Sequence, residues 1–252
     1  MLWSLILRGI SLEIGGHINN QLWQDFWDFV FSVSSILLAV VFGAAIGNLV
    51  RGVPLDGSGA FHMAFFTDFQ VRGHVGLIDW YTLSLGLFAL VLLCAHGATY
   101  RSFKTEGAVH DRSERLTRIL WCAVFAGLVV VSIETWFVRS EFFQNLLHRP
   151  LAWLGIAVTL CASAALFSGI HSRMEFRAFA GSCLLIAGLL GAGAVAIFPE
   201  MLPSTLGSEY SLTAYNSAAS RESLTVAAIW WPIALLLAVA TSYSSFGTSE
   251  AK

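Results

Sequence analysis

Residues 29–50, with the sequence FVFSVSSILLAVVFGAAIGNLV, form a run of 22 residues that contains no charged side chain. A helix needs about 20 consecutive apolar residues to cross the hydrocarbon core of a membrane, and this run is long enough. It also lacks the regular alternation of polar and apolar residues that is typical of a strand in a membrane barrel. The run therefore predicts a transmembrane helix.

The same length criterion finds six such segments along the chain. Only the third contains a charged residue, Glu134, which lies near enough to one end to reach the lipid headgroups. We therefore predict an all-α membrane protein in which residues 1–252 form a single membrane domain, with six full transmembrane helices and a partial N-terminal helix. The predicted spans are 29–50, 80–100, 119–138, 151–170, 178–199 and 224–246.

The overall composition agrees with a membrane protein. Of the 252 residues 56% are hydrophobic and 12% are charged, and the mean hydropathy is +0.71, whereas soluble domains carry roughly 25% charged residues. The formal net charge of −2, with no long basic run, excludes nucleic-acid binding. The four cysteines lie singly in different apolar segments, so we expect small buried side chains rather than a disulfide framework or a zinc site: Cys94, Cys122, Cys161 and Cys183.

The first residues differ from the six spans. Residues 1–7 are apolar, but Arg8 and Glu13 interrupt the segment and leave about half the length that a span requires. The order of charge and apolar residues is the reverse of that in a signal peptide. We therefore interpret residues 1–14 as the last part of a helix whose beginning is absent. Arg8 and Glu13 are separated by about 140° around a helix, so each should meet a different neighbour.

Basic residues in the connections predict the orientation. Eight Lys and Arg residues fall on one side and five on the other, and five of the eight lie in the loop 101–118. The positive-inside rule therefore makes that loop and the C-terminus cytoplasmic, and loops 51–79, 139–150 and 200–223 external. Trp27 and Trp121 are then expected near the inner membrane interface.

No nucleotide-binding loop, nucleophile motif or metal-ligand spacing is present in the sequence. One histidine, His96, lies well inside a span, where a hydrogen bond to a neighbouring helix is more common than haem ligation. The other six fall in connections or at a helix end and are expected to be solvated: His17, His62, His74, His110, His148 and His171.

Acidic residues near the membrane are stronger candidates, because a buried carboxylate is costly without a partner or a role in proton transfer. Asp28 begins a predicted span, so it could cap the helix N-terminus or belong to a proton route. Gly43 and Gly47 form a face that permits close helix approach. Three polar residues follow, Asn48, Arg51 and Asp56. Polar side chains there suit a helix end that is held at a fixed position at the outer membrane surface. The acidic candidates are Glu13, Asp28, Asp56, Asp79 and Glu134.

Four blocks of sequence resemble subunit II of the cytochrome bd quinol oxidases, in the order and with the spacing of that family. The patterns GNLxRGVPLD and LPSxLxxxYSLTxYN within them are specific, and the resemblance covers essentially the whole chain. The blocks are LRGISLEIG (7–15), LWQDFWDFVFSVSSILLAVVFGAAIGNLVRGVPLD (22–56), AHGATYRSFKTEG (95–107) and FPEMLPSTLGSEYSLTAYNSAAS (198–220).

The resemblance implies a bacterial inner-membrane heterodimer. In it, subunit I carries haems b and d, oxidises quinol and passes electrons to dioxygen, while subunit II binds subunit I and completes the membrane body. The resemblance also allows a quinone held in subunit II as a structural lipid. It implies no redox centre in this chain. Structural or proton-route roles are expected for Arg8, Glu13, Trp27, Asp28, Asn48, Arg51, Asp56 and His96.

The sequence departs from the family pattern at its start. Members of the family begin with further helices that carry a DGFDLG-like turn and a GPxWDGNEVW-like segment, and neither motif occurs here. The acidic and aromatic residues of that segment therefore cannot be carried over to this chain.

Two alternatives remain open at this point. A secondary transporter would show matching Gly- or Pro-broken spans in two repeated halves. Pro232 interrupts one span, but no matching break occurs in the first half. The other alternative is a fragment of the same family that neither folds stably nor assembles.

Overall fold

The computed structural model describes residues 1–61, 63–73 and 75–249, with side chains as far as Thr241. His62, His74 and Lys252, for which the sequence predicts solvated or cytoplasmic positions, lie outside the described residues. The described part is almost entirely helical. Its helices are α1 (Leu2–Gly15), α2 (Gln21–Arg51), α3 (Trp80–Lys104), α4 (Ala108–Val138), α5 (Glu141–His148), α6 (Pro150–His171), α7 (Glu175–Ile197) and α8 (Arg221–Ser249), and its strands are β1 (Glu200–Leu202) and β2 (Leu212–Thr213).

Six helices in the described residues are long and apolar enough to cross a membrane, which confirms the six predicted spans. Five of them contain a predicted segment whole, and α7 ends at Ile197, two residues before the predicted end at residue 199. Helix α2 begins at Gln21, eight residues before the predicted start, and its N-terminus is capped by Asn20. The Asn20 Oδ1 accepts hydrogen bonds from the backbone N–H groups of Leu22 and Trp23 at 2.9 and 3.4 Å.

The chain divides into two compact units, residues 1–212 and the residues from 213 onward. The first contains α1 to α7, and its helices pack mainly in pairs adjacent in sequence. Helix α3 is central, because it contacts α2, α4 and α7. The second unit consists of a short turn followed by α8, which continues through Pro232.

Small residues set the separation between α2 and α3, as the Gly43–Gly47 spacing predicted. A Cβ atom placed on Gly43 would lie 2.5 Å from the carbonyl oxygen of Leu85, and one on Gly86 would lie 2.7 Å from the carbonyl oxygen of Val40. The two backbones are therefore almost in contact, which larger side chains would prevent.

Two helices are too short to span a membrane. Helix α1 has 14 residues, too few to span, as the apolar but interrupted N-terminal segment predicted. It packs against α2, a contact that the sequence did not predict. Helix α5 has eight residues and was not expected, since the sequence suggested a plain connection.

One sequence prediction about burial is wrong. Cys94, Cys122, Cys161 and Cys183 are exposed rather than buried, because they lie on the outer faces of their helices. Trp121, for which a position near the inner interface stays a prediction, is fully buried among Ala95, Val124 and Leu166. Its indole N–H donates to Thr99 Oγ1 at 2.9 Å, so the polar atom of this side chain is satisfied inside the bundle.

Candidate functional site

The strongest constellation of charged groups joins the end of α2 to the start of α3. Arg51 is the last residue of α2, and its Nη1 donates to Oδ2 of Asp79. Asp79 is the N-cap of α3, where its other oxygen accepts from the backbone N–H of Thr82 at 2.8 Å. The Arg51 side chain is 2% exposed and that of Asp79 is fully buried. A single carboxylate therefore both caps a helix and neutralises a buried guanidinium.

Asn48 completes this group, which we call the Arg51 network (Asn48, Arg51 and Asp79). The Oδ1 of Asn48 accepts from Arg51 Nη2 at 2.6 Å, and its Nδ2 donates to the carbonyl of Leu77 at 2.9 Å. Arg51 also donates to the carbonyls of Gly52 and Gly76, both at 3.2 Å. Burial of an ion pair costs desolvation free energy, which is offset only when the remaining polar atoms are hydrogen-bonded, as they are here.

Two further arginines form hydrogen bonds at the same end of the bundle as the Arg51 network. Arg139, directly after α4, donates to the carbonyl of Val50 at 3.1 Å and to Glu200 Oε2 at 2.6 Å. Arg149, just before α6, donates to the carbonyls of Val195 and Phe198. The ends of α2, α4, α6 and α7 are thus held by arginine side chains that also contact backbone carbonyls.

The loop after α2 adds a backbone contact at the same end. Val53 pairs with Ser204 in an isolated bridge, with the Val53 N–H donating to the carbonyl of Pro203 at 3.0 Å. The Ser204 hydroxyl donates to the carbonyl of Leu55 at 2.9 Å. These residues belong to the two specific sequence patterns, GNLxRGVPLD and LPSxLxxxYSLTxYN, so the two patterns meet in space.

Asp56 has a local role, apart from the Arg51 network. It is exposed, and its Oδ1 accepts from the backbone N–H and hydroxyl of Ser58 at 2.8 and 2.5 Å and from the N–H of Ala60 at 3.3 Å. This pattern is that of an Asp-nucleated turn, which shapes the loop that follows α2.

His96 lies half-buried between α3 and α7. Its Nδ1 is 2.8 Å from the Ser182 hydroxyl, and its ring stacks on Phe179 with centroids 5.5 Å apart. The hydrogen bond to a neighbouring helix that the sequence favoured is therefore present. In the described residues, no group of three or more His, Cys, Asp or Glu side chains could hold a metal ion.

The candidates in α1 and the first turns of α2 lie on an exposed surface. Arg8 is exposed, and its guanidinium lies 5.3 Å from the ring centroid of Phe31. Glu13 is exposed as well, and no ion pair joins it to Arg8 or to another described residue. The indole Nε1 of Trp27 is buried without a hydrogen-bond partner among the described residues.

The capping role expected for Asp28 is wrong. Helix α2 starts seven residues earlier, so Asp28 lies two turns inside it and Asn20 provides the cap. Asp28 is exposed, and its side chain faces outward from the helix pair rather than the free N–H groups of a helix end.

A second polar cluster occurs at the opposite end of the bundle, and the sequence analysis missed it by treating His110 as solvated. Residues 108–118 precede the apolar part of α4 and so lie outside its membrane-spanning segment. His110 Nδ1 donates to the carbonyl of Ser102 at 3.0 Å, and its Nε2 is 3.4 Å from Glu175 Oε1. The Ser102 carbonyl, and after it Glu175, raise the pKa of His110 above its usual value.

Comparisons with known proteins agree with the sequence patterns. The family described as cytochrome bd terminal oxidase subunit II matches residues 1–248. A probable cytochrome oxidase subunit 2 of Haemophilus influenzae is 29% identical over 98% of this chain and 70% of its own length. The cytochrome bd-I ubiquinol oxidase subunit 2 of Escherichia coli is 25% identical over 98% of this chain and 72% of its own length.

A relative from Bacillus subtilis is also similar. The cytochrome bd ubiquinol oxidase subunit 2 of Bacillus subtilis is 25% identical over 91% of this chain and 64% of its own length. The match to the family extends over nearly the whole chain, from α1 almost to the end of α8. This chain therefore belongs to the cytochrome bd terminal oxidase subunit II family.

Proposed function

We propose that this chain is a haem-free subunit of a bd-type quinol oxidase in a bacterial cytoplasmic membrane. In this proposal a partner, subunit I, binds haems b and d, oxidises quinol and reduces dioxygen to water, and this chain completes the membrane body. The match of residues 1–248 to the subunit II family carries the proposal. Because the chain belongs to this family, we no longer interpret it as a secondary transporter. A structural quinone in this chain remains a prediction, which extraction of co-purified quinone would test.

The surroundings of His96 support placing the haems on the partner. Haem iron is held by axial ligands such as His, Met or Cys that packed helices present to it. In this chain the Nδ1 of His96 is engaged by Ser182, and Phe179 covers one face of the ring. These contacts pack α3 against α7. What favours the partner as the haem-binding subunit is that His96 is the one histidine well inside a span of the described residues, so the chain offers no second internal histidine as an axial ligand.

We expect His96→Ala to leave the haem content of the assembled complex unchanged, because the substitution removes a helix-to-helix hydrogen bond and no iron ligand. The measurement is the haem-to-protein ratio of the purified complex, with Ser182→Ala as the matched control for loss of the same hydrogen bond. Loss of one haem per complex in His96→Ala, with full haem retained in Ser182→Ala, would show that His96 is a ligand.

The exposed charges on α1 mark the surface that we propose meets the partner. A charged side chain at membrane depth costs about 2.5–3.5 kcal/mol on insertion scales unless it is paired or solvated. Arg8 lies at the middle of α1, is exposed, and has an aromatic neighbour in Phe31 but no ion pair among the described residues. A carboxylate on another protein segment would form an ion pair with the Arg8 guanidinium.

We expect Arg8→Leu to weaken binding to the haem-bearing partner, measured by co-purification, by at least about tenfold, because loss of one member of a desolvated charge pair costs about 2–5 kcal/mol of binding free energy. Arg221→Leu, at an exposed arginine of the second unit, serves as the control and should leave co-purification unchanged. If Arg8 faced lipid, its replacement would instead raise the yield of assembled protein.

The orientation remains a proposal that rests on the basic cluster between residues 101 and 118. Glu106 is exposed in the short connection between α3 and α4, so it is a suitable labelling position. Ser113, at the centre of the cluster, is unsuitable because it is 5% exposed.

We expect Glu106→Cys, in a background without the four native cysteines, to react with a membrane-impermeant thiol reagent only after the cells are broken. This result would place α3–α4 loop residues in the cytoplasm, because the intact membrane blocks the reagent. Labelling of intact cells would reverse the orientation of every helix.

A further inference from the structure

A cavity of about 160 Å³ lies at the end of the bundle opposite the Arg51 network, where α3 and α6 end and α4 and α7 begin. Its inner wall carries three hydroxyl groups, from Thr99, Ser102 and Thr117. Its mouth carries His110, Glu114 and Glu175, which are partly exposed. A cavity of this size has room for a small cluster of water molecules, and its polar lining offers them partners.

Thr117 gives the clearest sign that the cavity is occupied. The residue is 4% exposed, and its Oγ1 is buried with no hydrogen-bond partner among the described residues. Two other helical threonines in this chain donate to the carbonyl one turn earlier, Thr135 to Val131 at 2.7 Å and Thr159 to Gly155 at 2.9 Å. A buried hydroxyl without a partner is unfavourable, so its position in the wall of a cavity points to a partner inside the cavity.

Thr99, a neighbouring hydroxyl in the cavity wall, is not the partner of Thr117. Its Oγ1 donates to the carbonyl of Ala95 at 2.8 Å and accepts from the indole N–H of Trp121 at 2.9 Å, and Thr117 Oγ1 makes no hydrogen bond to any described residue. Trp121 in turn belongs to a buried apolar cluster that also contains Val124 and Leu166.

The mouth links the cavity to the aqueous phase. His110 donates to the Ser102 carbonyl through Nδ1, which leaves its Nε2 facing Glu175 at 3.4 Å. Glu114 accepts from Arg118 and lies 3.9 Å from the Nε of Arg173. The exposed faces of these side chains can exchange protons with solvent, while their other atoms border the cavity.

The residues that line the cavity indicate which class of ligand it can hold. Hydroxyl, imidazole and carboxylate groups disfavour an apolar molecule, and the described residues contain no group of three metal-ligating side chains. We propose that the cavity is a hydrated vestibule, in which a small cluster of water molecules accepts a hydrogen bond from Thr117 and exchanges protons with the His110–Glu175 pair. This proposal concerns the chain alone and does not depend on the identity of its partner.

Cysteine accessibility tests the proposal directly. The probe is 2-aminoethyl methanethiosulfonate: the cysteine thiolate attacks its divalent sulfur, a mixed disulfide forms and methanesulfinate leaves. Because a thiol ionises readily only where it is hydrated, the reaction reports water at the thiol. Thr117→Cys would be compared with Val124→Cys, two turns deeper on the same helix and 1% exposed, and with Arg115→Cys on the surface. All three variants are made in the full chain without its native cysteines and measured in open membrane fragments with any associated subunits.

We expect Thr117→Cys to react at least about tenfold faster than Val124→Cys, since only the first thiol would contact water. Reaction of Thr117→Cys as slow as that of Val124→Cys, with Arg115→Cys reacting normally, would show a dry cavity and overturn the proposal.

A second measurement covers the case in which Thr117→Cys disturbs the helix. Thr117→Val keeps the shape of the side chain and removes the hydroxyl. A hydrated site predicts a lower Tm than that of the unsubstituted chain, because a hydrogen bond to water is lost. A Tm equal to that of the unsubstituted chain or higher would mean that the hydroxyl had no partner, and would contradict the proposal.

Discussion

Arg51→Met is expected to lower the free energy of unfolding by about 3–5 kcal/mol, the cost of removing one partner of a buried ion pair. The substitution leaves the Asp79 carboxylate buried without its counter-charge, and Asn48 loses the donor that its Oδ1 accepts from. Thermal unfolding of the detergent-solubilised protein measures the effect.

A double variant separates loss of the pair from loss of the helix cap. Asparagine also caps helices, so Asp79→Asn keeps the acceptor for the Thr82 N–H and removes the charge. Adding Asp79→Asn to Arg51→Met should restore most of the lost stability. The matched control is Arg72→Met, since Arg72 is an exposed arginine in the same loop region and should cost little. Equal losses in Arg51→Met and Arg72→Met would show that the Arg51 network does not stabilise the fold.

Gly43→Ala and Gly97→Ala are expected to change stability in opposite directions. A Cβ at Gly43 would lie 2.5 Å from the carbonyl oxygen of Leu85, so α2 and α3 must separate, at a cost of about 1–3 kcal/mol. A Cβ at Gly97, also within a membrane helix, meets no atom within 4 Å. There alanine should stabilise the helix by about 0.5–1 kcal/mol.

The same unfolding measurement compares the two glycine variants. Both changes add one methyl group to a transmembrane helix, so intrinsic helix propensity is held constant between them. Destabilisation by Gly97→Ala equal to that by Gly43→Ala would indicate that close contact between α2 and α3 is not required.

The spans and the close helix pair could be predicted because they depend on local sequence. Length and hydropathy are enough to find a membrane helix, and the Gly43–Gly47 spacing is enough to predict a narrow face. The start of α2 was misplaced because residues 21–28 contain polar side chains. Hydropathy therefore began the span at residue 29, although the helix begins at Gln21.

Partners distant in sequence could not be predicted. Arg51 was singled out for its place at a helix end, and Asp79 as an acid near the membrane, but they are 28 positions apart in the chain and nothing local joins them. The pairing of Arg139 with Glu200 spans 61 residues. One signal was available for Asp79, since an aspartate directly before a predicted span is a typical N-cap.

Hydropathy also does not distinguish a lipid-facing side chain from a core side chain. Both are apolar in a membrane protein, because lipid chains are as apolar as leucine. This explains why the four cysteines were assigned to the interior, when the structure shows them exposed, and why the full burial of Trp121 was not foreseen.

The most direct test of the proposed function is to purify this chain through an affinity tag from bacterial membranes and measure haem and quinol-driven oxygen consumption in the same sample. We predict co-purification of a haem-bearing subunit, oxygen consumption on addition of quinol, and no haem on the chain once the subunits are separated. Haem that remains on the separated chain, or a stable purified chain with neither a haem-bearing partner nor oxygen consumption, would contradict the account.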